Sequence, residues 1–197
     1  MNDLLTSLKV PAEVQEFFGT GELLFNYGGH FEQYETGYHR VPTTPHLWLA
    51  GNPHCREVII TGAAMEAIAF LALNAHKYQG LQGLTFIALG NLPQMAQLIW
   101  IRQHYPKRKY TLIFGNDLLG RLADIRVAAG LHGHPVSFDY TASRLGITCR
   151  RVLYHFIPEQ VSLNAFEKAM GLRLQCRTIK PRKFISFLDQ LKYDANQ

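Results

Sequence analysis

Between Arg56 and Phe138, short β-branched runs alternate with longer segments whose apolar residues recur on a helical period, and no other feature of the chain restricts its fold as much. EVIIT precedes AAMEAIAFLALNAHKY, LTFIAL precedes LPQMAQLIWIRQHY, YTLIF precedes DLLGRLADIRVAAGL, and PVSF follows as a fourth run. The short runs read as strands and the periodic segments as helices. Strands joined by segments long enough for a helix call for right-handed crossovers, and hence for a mainly parallel sheet with helices on both faces. The chain is therefore read as α/β, with strands near 57–61, 84–89, 110–114 and 135–138 sharing one such sheet of about four strands.

The flanks have a different texture. Residues 1–20 read as short helices, the second ended by Gly19 or Gly21. ELLFNYGGHFEQYETGY then alternates around Gly28-Gly29, the pattern of a hairpin turning at the glycine pair, and PHLWLAG adds a strand. Residues 1–55 form a small antiparallel appendage in this reading, 56–140 the α/β core, and 141–197 an extension packed on it. In that extension CRRVLYHFI reads as a strand, SLNAFEKAMG as a helix capped by Ser162, and KPRKFISFLDQLKYDA as a terminal helix starting after Pro181.

Composition removes several function classes. Hydrophobic residues make up 47% of the 197, ample for a packed core. No apolar run approaches a membrane span, and the amino terminus lacks the basic-then-apolar order of a secretion signal, so a cytoplasmic protein without a membrane partner is expected. Cys55, Cys149 and Cys176 are too scattered for a disulfide framework or a zinc site, and read as buried free thiols. His132-Gly133-His134 lacks the spacing of metal ligands.

Charge is informative through its placement. Residues 1–130 carry ten Lys/Arg and ten Asp/Glu, whereas residues 131–197 carry ten and five. The whole excess lies in the last third, which points to an anionic partner. Basic residues there are interleaved with Tyr154, His155, Phe156 and Phe184, a mixture suited to single-stranded nucleic acid, where cations track phosphates and rings stack on bases. Arg150, Arg151, Arg177, Lys180, Arg182 and Lys183 are the candidate contacts, with DNA favoured.

In open parallel sheets, ligands sit beyond the carboxyl ends of the strands. That edge holds Thr61-Gly62, Gly90-Asn91 and Gly115-Asn116-Asp117, with Gly120 one turn further on; glycine there permits tight turns and close approach of a ligand. Glu66 and Asp117 are the acidic residues nearest this edge. Glu66 lies one helical turn in, about 6 Å beyond a strand end, and reads as a helix-surface or strand-edge carboxylate. Asp117 suits the N-cap of the helix that follows it.

These residues carry a family resemblance. VIITGAAMEAIAFLAL is similar to the first motif of Toprim (topoisomerase–primase) domains, and TLIFGNDLLG to the second. ALGN and HLWLAGNPHCREV resemble Toprim-like proteins of bacterial mobile elements; the likeness spans roughly residues 46–138. It implies a strand-end glutamate acting as general acid or base, and two aspartates holding magnesium for phosphodiester chemistry. Gly62 stands where the glutamate is expected and Gly115 where the first aspartate is; only Asp117 remains, a weak magnesium site. The expected function is a catalytically degenerate Toprim-like accessory protein in DNA replication or mobile-element transfer. An active magnesium-dependent primase-like or nuclease-like enzyme using Asp117 and Glu66 is the alternative. A protein-interaction module docking a partner through the N-terminal appendage, without nucleic acid, is another.

Overall fold

Every residue of EVIIT is buried, as expected of a strand covered on both faces. The computed structural model describes residues 2–141 and 144–197. Met1, and residues 142 and 143 of the expected extension, lie outside the described residues. The strands are β1 (Leu24–Tyr27), β2 (His30–Glu35), β3 (Tyr38–Arg40), β4 (Trp48–Gly51), β5 (Glu57–Thr61), β6 (Leu84–Ala88), β7 (Lys109–Leu112), β8 (Val136–Thr141), β9 (Arg144–Cys149), β10 (Val152–Phe156) and β11 (Cys176–Thr178). The helices are α1 (Asp3–Ser7), α2 (Ala12–Phe18), α3 (Ala64–Asn74), α4 (Met95–His104), α5 (Leu118–Leu131), α6 (Leu163–Met170) and α7 (Phe187–Ala195).

The central sheet has the order β11-β7-β5-β6-β4. β5 pairs in parallel with both β6 and β7, and β11 runs parallel to β7. Successive side chains of a strand alternate between faces, and β5 divides accordingly. Ile59 packs with α1, α2, α3 and α7 on one face, while Val58 and Ile60 pack with α4, α5 and α6 on the other. Among the described residues, no helix is long and apolar enough to cross a membrane.

Two strand assignments change. PVSF does not close the parallel sheet: β8 pairs antiparallel with β9, and β9 with β10, in a separate three-stranded sheet. The reason is its alternation. Val136 and Phe138 are half-buried while Ser137 and Asp139 are exposed, the pattern of a strand with one wet face. The fourth parallel strand is β11, whose Cys-Arg-Thr has too little apolar content to announce itself. PHLWLAG, expected in the appendage, supplies β4, which pairs antiparallel with β6 at the other edge of the central sheet. CRRVLYHFI supplies a strand as expected, β10, which β9 reaches through a turn at Arg150 and Arg151, both with positive φ.

The terminal helix starts later than expected, at Phe187, where the Ser186 hydroxyl accepts from the Asp189 amide. The residues between β11 and this cap instead cross the carboxyl ends of the parallel strands. The glycine pair does turn the β1–β2 hairpin, and Gly19 ends α2 in the left-handed conformation.

Candidate strand-end crevice

β5 leads into α3 on one face and on to β6, whereas β7 lies on the other side of β5 and leads into α5 on the opposite face. The turns after β5 and β7 thus leave in opposite directions and open a crevice between them, the usual place for a ligand in such sheets. Thr61, Gly62, Gly90, Asn91, Gly115 and Asp117 line a cavity of about 240 Å³ there, joined by Glu66 and by Ile185 and Ser186 of the C-terminal segment. Asn116 and Gly120 do not line it.

The glycines differ in what they do. A Cβ on Gly62 would meet Gly90 O at 3.5 Å, an ordinary contact, so this position has room for a side chain. Gly90 has φ +78°, and its Cβ would fall 2.4 Å from Pro42 O; only glycine fits. A Cβ on Gly120 would lie 2.1 Å from Gly115 O, so Gly120 lets α5 close on the turn above it. On Gly115 a Cβ would be squeezed between Asp117 Oδ1 at 3.0 Å and Ile185 O at 3.2 Å.

The chain covers much of the crevice with its own backbone. Asn91 donates from its backbone N to Pro42 O at 3.0 Å and from Nδ2 to Val41 O at 2.7 Å. Asn116 N donates to Ile185 O at 2.8 Å from the other side.

Both candidate carboxylates are engaged. Asp117 Oδ1 accepts from Gly120 N at 2.8 Å, capping α5. Glu66 is a correction: it is partly buried, not on the surface, and accepts from Phe187 N at 2.9 Å and Leu188 N at 3.4 Å. It therefore holds the first turn of α7. Burial pushes its carboxyl above the usual range, against the pull of the Phe187 amide and the Ser186 hydroxyl.

Lys180 is also corrected. Its ammonium turns inward, donating to Asp124 Oδ2 at 2.6 Å, Phe114 O at 3.1 Å and Gly115 O at 2.9 Å. An ammonium has three donors, and these contacts use them all, so Lys180 has none left for a phosphate. Asp124 is 2% exposed, and burial pushes it up to about 6 while Lys180 pulls the other way. Burial likewise lowers Lys180.

Two acids escaped the sequence reading. Asp124 faces inward from an α5 whose apolar periodicity masks it. Glu32 is fully buried and accepts from Tyr27 Oη and Ala64 N, each at 2.6 Å, from Met65 N at 3.0 Å and from His39 Nε2 at 3.0 Å. It caps α3 from the hairpin, and its charge adds to burial in raising the Tyr27 hydroxyl. One signal was available: Glu32 is in phase with Tyr34 on β2, which places both on the inner face and turns Phe31 outward.

The other expected cations lie on the surface in two places. Arg150 and Arg151 are exposed at the β9–β10 turn, where Arg150 Nη2 meets His134 Nε2 at 2.7 Å. Arg177, on the edge strand β11, is exposed, as are Arg182 and Lys183 in the segment after it. The cysteines are free thiols, with Cys55 and Cys149 buried. Among the described residues, no group of three or more His, Cys, Asp or Glu side chains is placed to hold a metal ion. No protein-family model, curated protein or solved structure matches the chain.

Proposed function

We propose that the protein is a nucleic-acid-associated accessory factor built on a Toprim-like core that does no magnesium chemistry. The observation that supports this reading best is the ammonium of Lys180 at the end of β7, bonded to Phe114 O and Gly115 O. Its ammonium, paired with Asp124, thus already occupies the carbonyl oxygens of the turn where the family would place its metal. Magnesium wants near-octahedral oxygen ligands, commonly including one or two carboxylates. Here Gly62 and Gly115 offer none, Asp117 Oδ1 is committed to Gly120 N, and Glu66 to the amides of α7. The residues present do not fit the ion.

The exposed Arg150, Arg151, Arg177, Arg182 and Lys183 remain for an anionic partner, and phosphate contacts of this kind bind nucleic acid without reading its sequence. The test of the catalytic half is an assay of the purified chain for magnesium-dependent cleavage and primer synthesis. The wild type and Asp117→Ala should be equally inactive. Robust activity that disappears in Asp117→Ala would establish the enzyme reading instead.

One observation favours an interaction module as a second reading. Leu24, Phe31 and Tyr38 are all exposed, and strand alternation places them on the outer face of the β1–β2–β3 sheet. A chain that binds a protein through this face and ignores nucleic acid at low salt would fit that reading.

A further inference from the structure

A second cavity, of about 370 Å³, opens between the end of α3, the chain leaving β11 and the first turns of α7. Its lining brings His76 and Lys77, just after α3, beside Arg182, more than a hundred residues away in sequence. Lys77 Nζ donates to Asn74 Oδ1 at 2.6 Å, which steadies the ammonium at the cavity wall. Arg182 N donates to Gln190 Oε1 at 3.0 Å, so the group Gln190 retains for a ligand is its NH2 donor. Asp194 is the one acidic residue in the lining, and the charge of Lys180, also in the wall, is balanced by Asp124.

The residues lining this space thus carry a planar guanidinium, an ammonium, an imidazole and an amide. Arginine forks match the paired oxygens of a phosphate, and charge-assisted bonds of this kind are about twice as strong as neutral ones. Arg177, exposed on β11, lies on the same face of the sheet as Ile179, which lines the cavity.

We propose that this cavity binds one phosphoryl group, with Arg182 and Lys77 supplying the charge and Gln190 an amide donor. The inference rests on the nucleic-acid reading where that group belongs to a nucleic-acid backbone; a free phosphate ester presents the same chemistry, and the experiment separates the two. The full-length chain is titrated with inorganic phosphate while its backbone amide resonances are followed. Binding of a single-stranded oligothymidylate without terminal phosphates is measured in parallel. The variants are Lys77→Gln with Arg182→Gln and, as a control, Lys107→Gln with Arg108→Gln, two exposed cations between α4 and β7.

Phosphate should shift the amides around residues 182 and 190 saturably, and the cavity pair of substitutions should weaken its binding by at least about tenfold while the control pair leaves it unchanged. Parallel weakening of oligothymidylate binding assigns the phosphoryl group to a nucleic-acid backbone. Retained oligothymidylate binding with lost phosphate binding assigns it to a free ester. Absence of a saturable shift at these amides in the wild type overturns the proposal without recourse to any variant. If oligothymidylate still binds in that case, the nucleic-acid reading survives and only the cavity is excluded.

Discussion

Asp124 and Lys180 are a buried pair whose partners cannot be removed singly without leaving a charge in poor company. Asp124→Ala strips the Lys180 ammonium of its carboxylate and should destabilise the fold by about 3 kcal/mol, whereas Asp124→Leu with Lys180→Met should recover most of that loss; chemical denaturation of the three proteins checks it. The pair also sets a pH dependence. The Asp124 carboxyl holds its proton more tightly folded than unfolded, since burial raises it from 3.8 to about 6. Its contribution to stability is then complete below the unfolded value and is lost as pH rises through about 6. Wild type measured against Asp124→Asn, which cannot titrate there, should lose stability across this window; a difference that grows as pH rises would contradict the assignment. The glycines of the crevice give a second test. Gly62→Ala should unfold at the wild-type denaturant midpoint, because its Cβ meets nothing closer than 3.5 Å. Gly90→Ala and Gly120→Ala, facing carbonyl oxygens at 2.4 and 2.1 Å, should each lose at least about 1 kcal/mol.

At the scale of elements, two carboxylates from remote segments fasten helix starts: that of α3, which lacks a cap of its own, and that of α7, where Glu66 adds to the Ser186 cap. Ala63 at the start of α3 offers no side-chain oxygen, and Glu32 supplies one from β2. Glu32→Ala leaves Ala64 N, Met65 N and the Tyr27 hydroxyl without their acceptor, and a loss of about 3 kcal/mol is expected from groups of this kind. Amide hydrogen exchange should quicken first in the opening turn of α3; unchanged protection there would show that the hairpin is not what holds the helix. These clamps mark the boundary of what was legible in the sequence. Periodicity located β5, β6 and β7 and the helices between them, because long runs with one clear period carry their own signal. It misassigned PVSF, whose place after a helix outweighed its alternation, and it could not see β11, whose place in the sheet comes from pairing with β7. Asp117 as an N-cap was legible because the cap acts within one helix. Glu66 capping α7 across more than a hundred residues was not, since local pattern does not encode long-range partners.

For the whole molecule, the net charge of +5 comes from the last third of the chain, but the fold redistributes it. Lys180 is neutralised inside, while Arg182 comes to line a cavity with His76 and Lys77, which the linear sequence assigns to another region. The most direct test of a metal-independent nucleic-acid-associated protein is the salt dependence of single-stranded oligonucleotide binding, measured by fluorescence anisotropy in chelator and again in magnesium. The expected result is binding that needs no magnesium, weakens steeply with salt, and loses up to roughly 2 units of log–log slope in a variant with Arg177, Arg182 and Lys183 all changed to glutamine, at about 0.7 per phosphate contact on single strands. No binding at low salt in either buffer, or binding that appears only with magnesium, would contradict it.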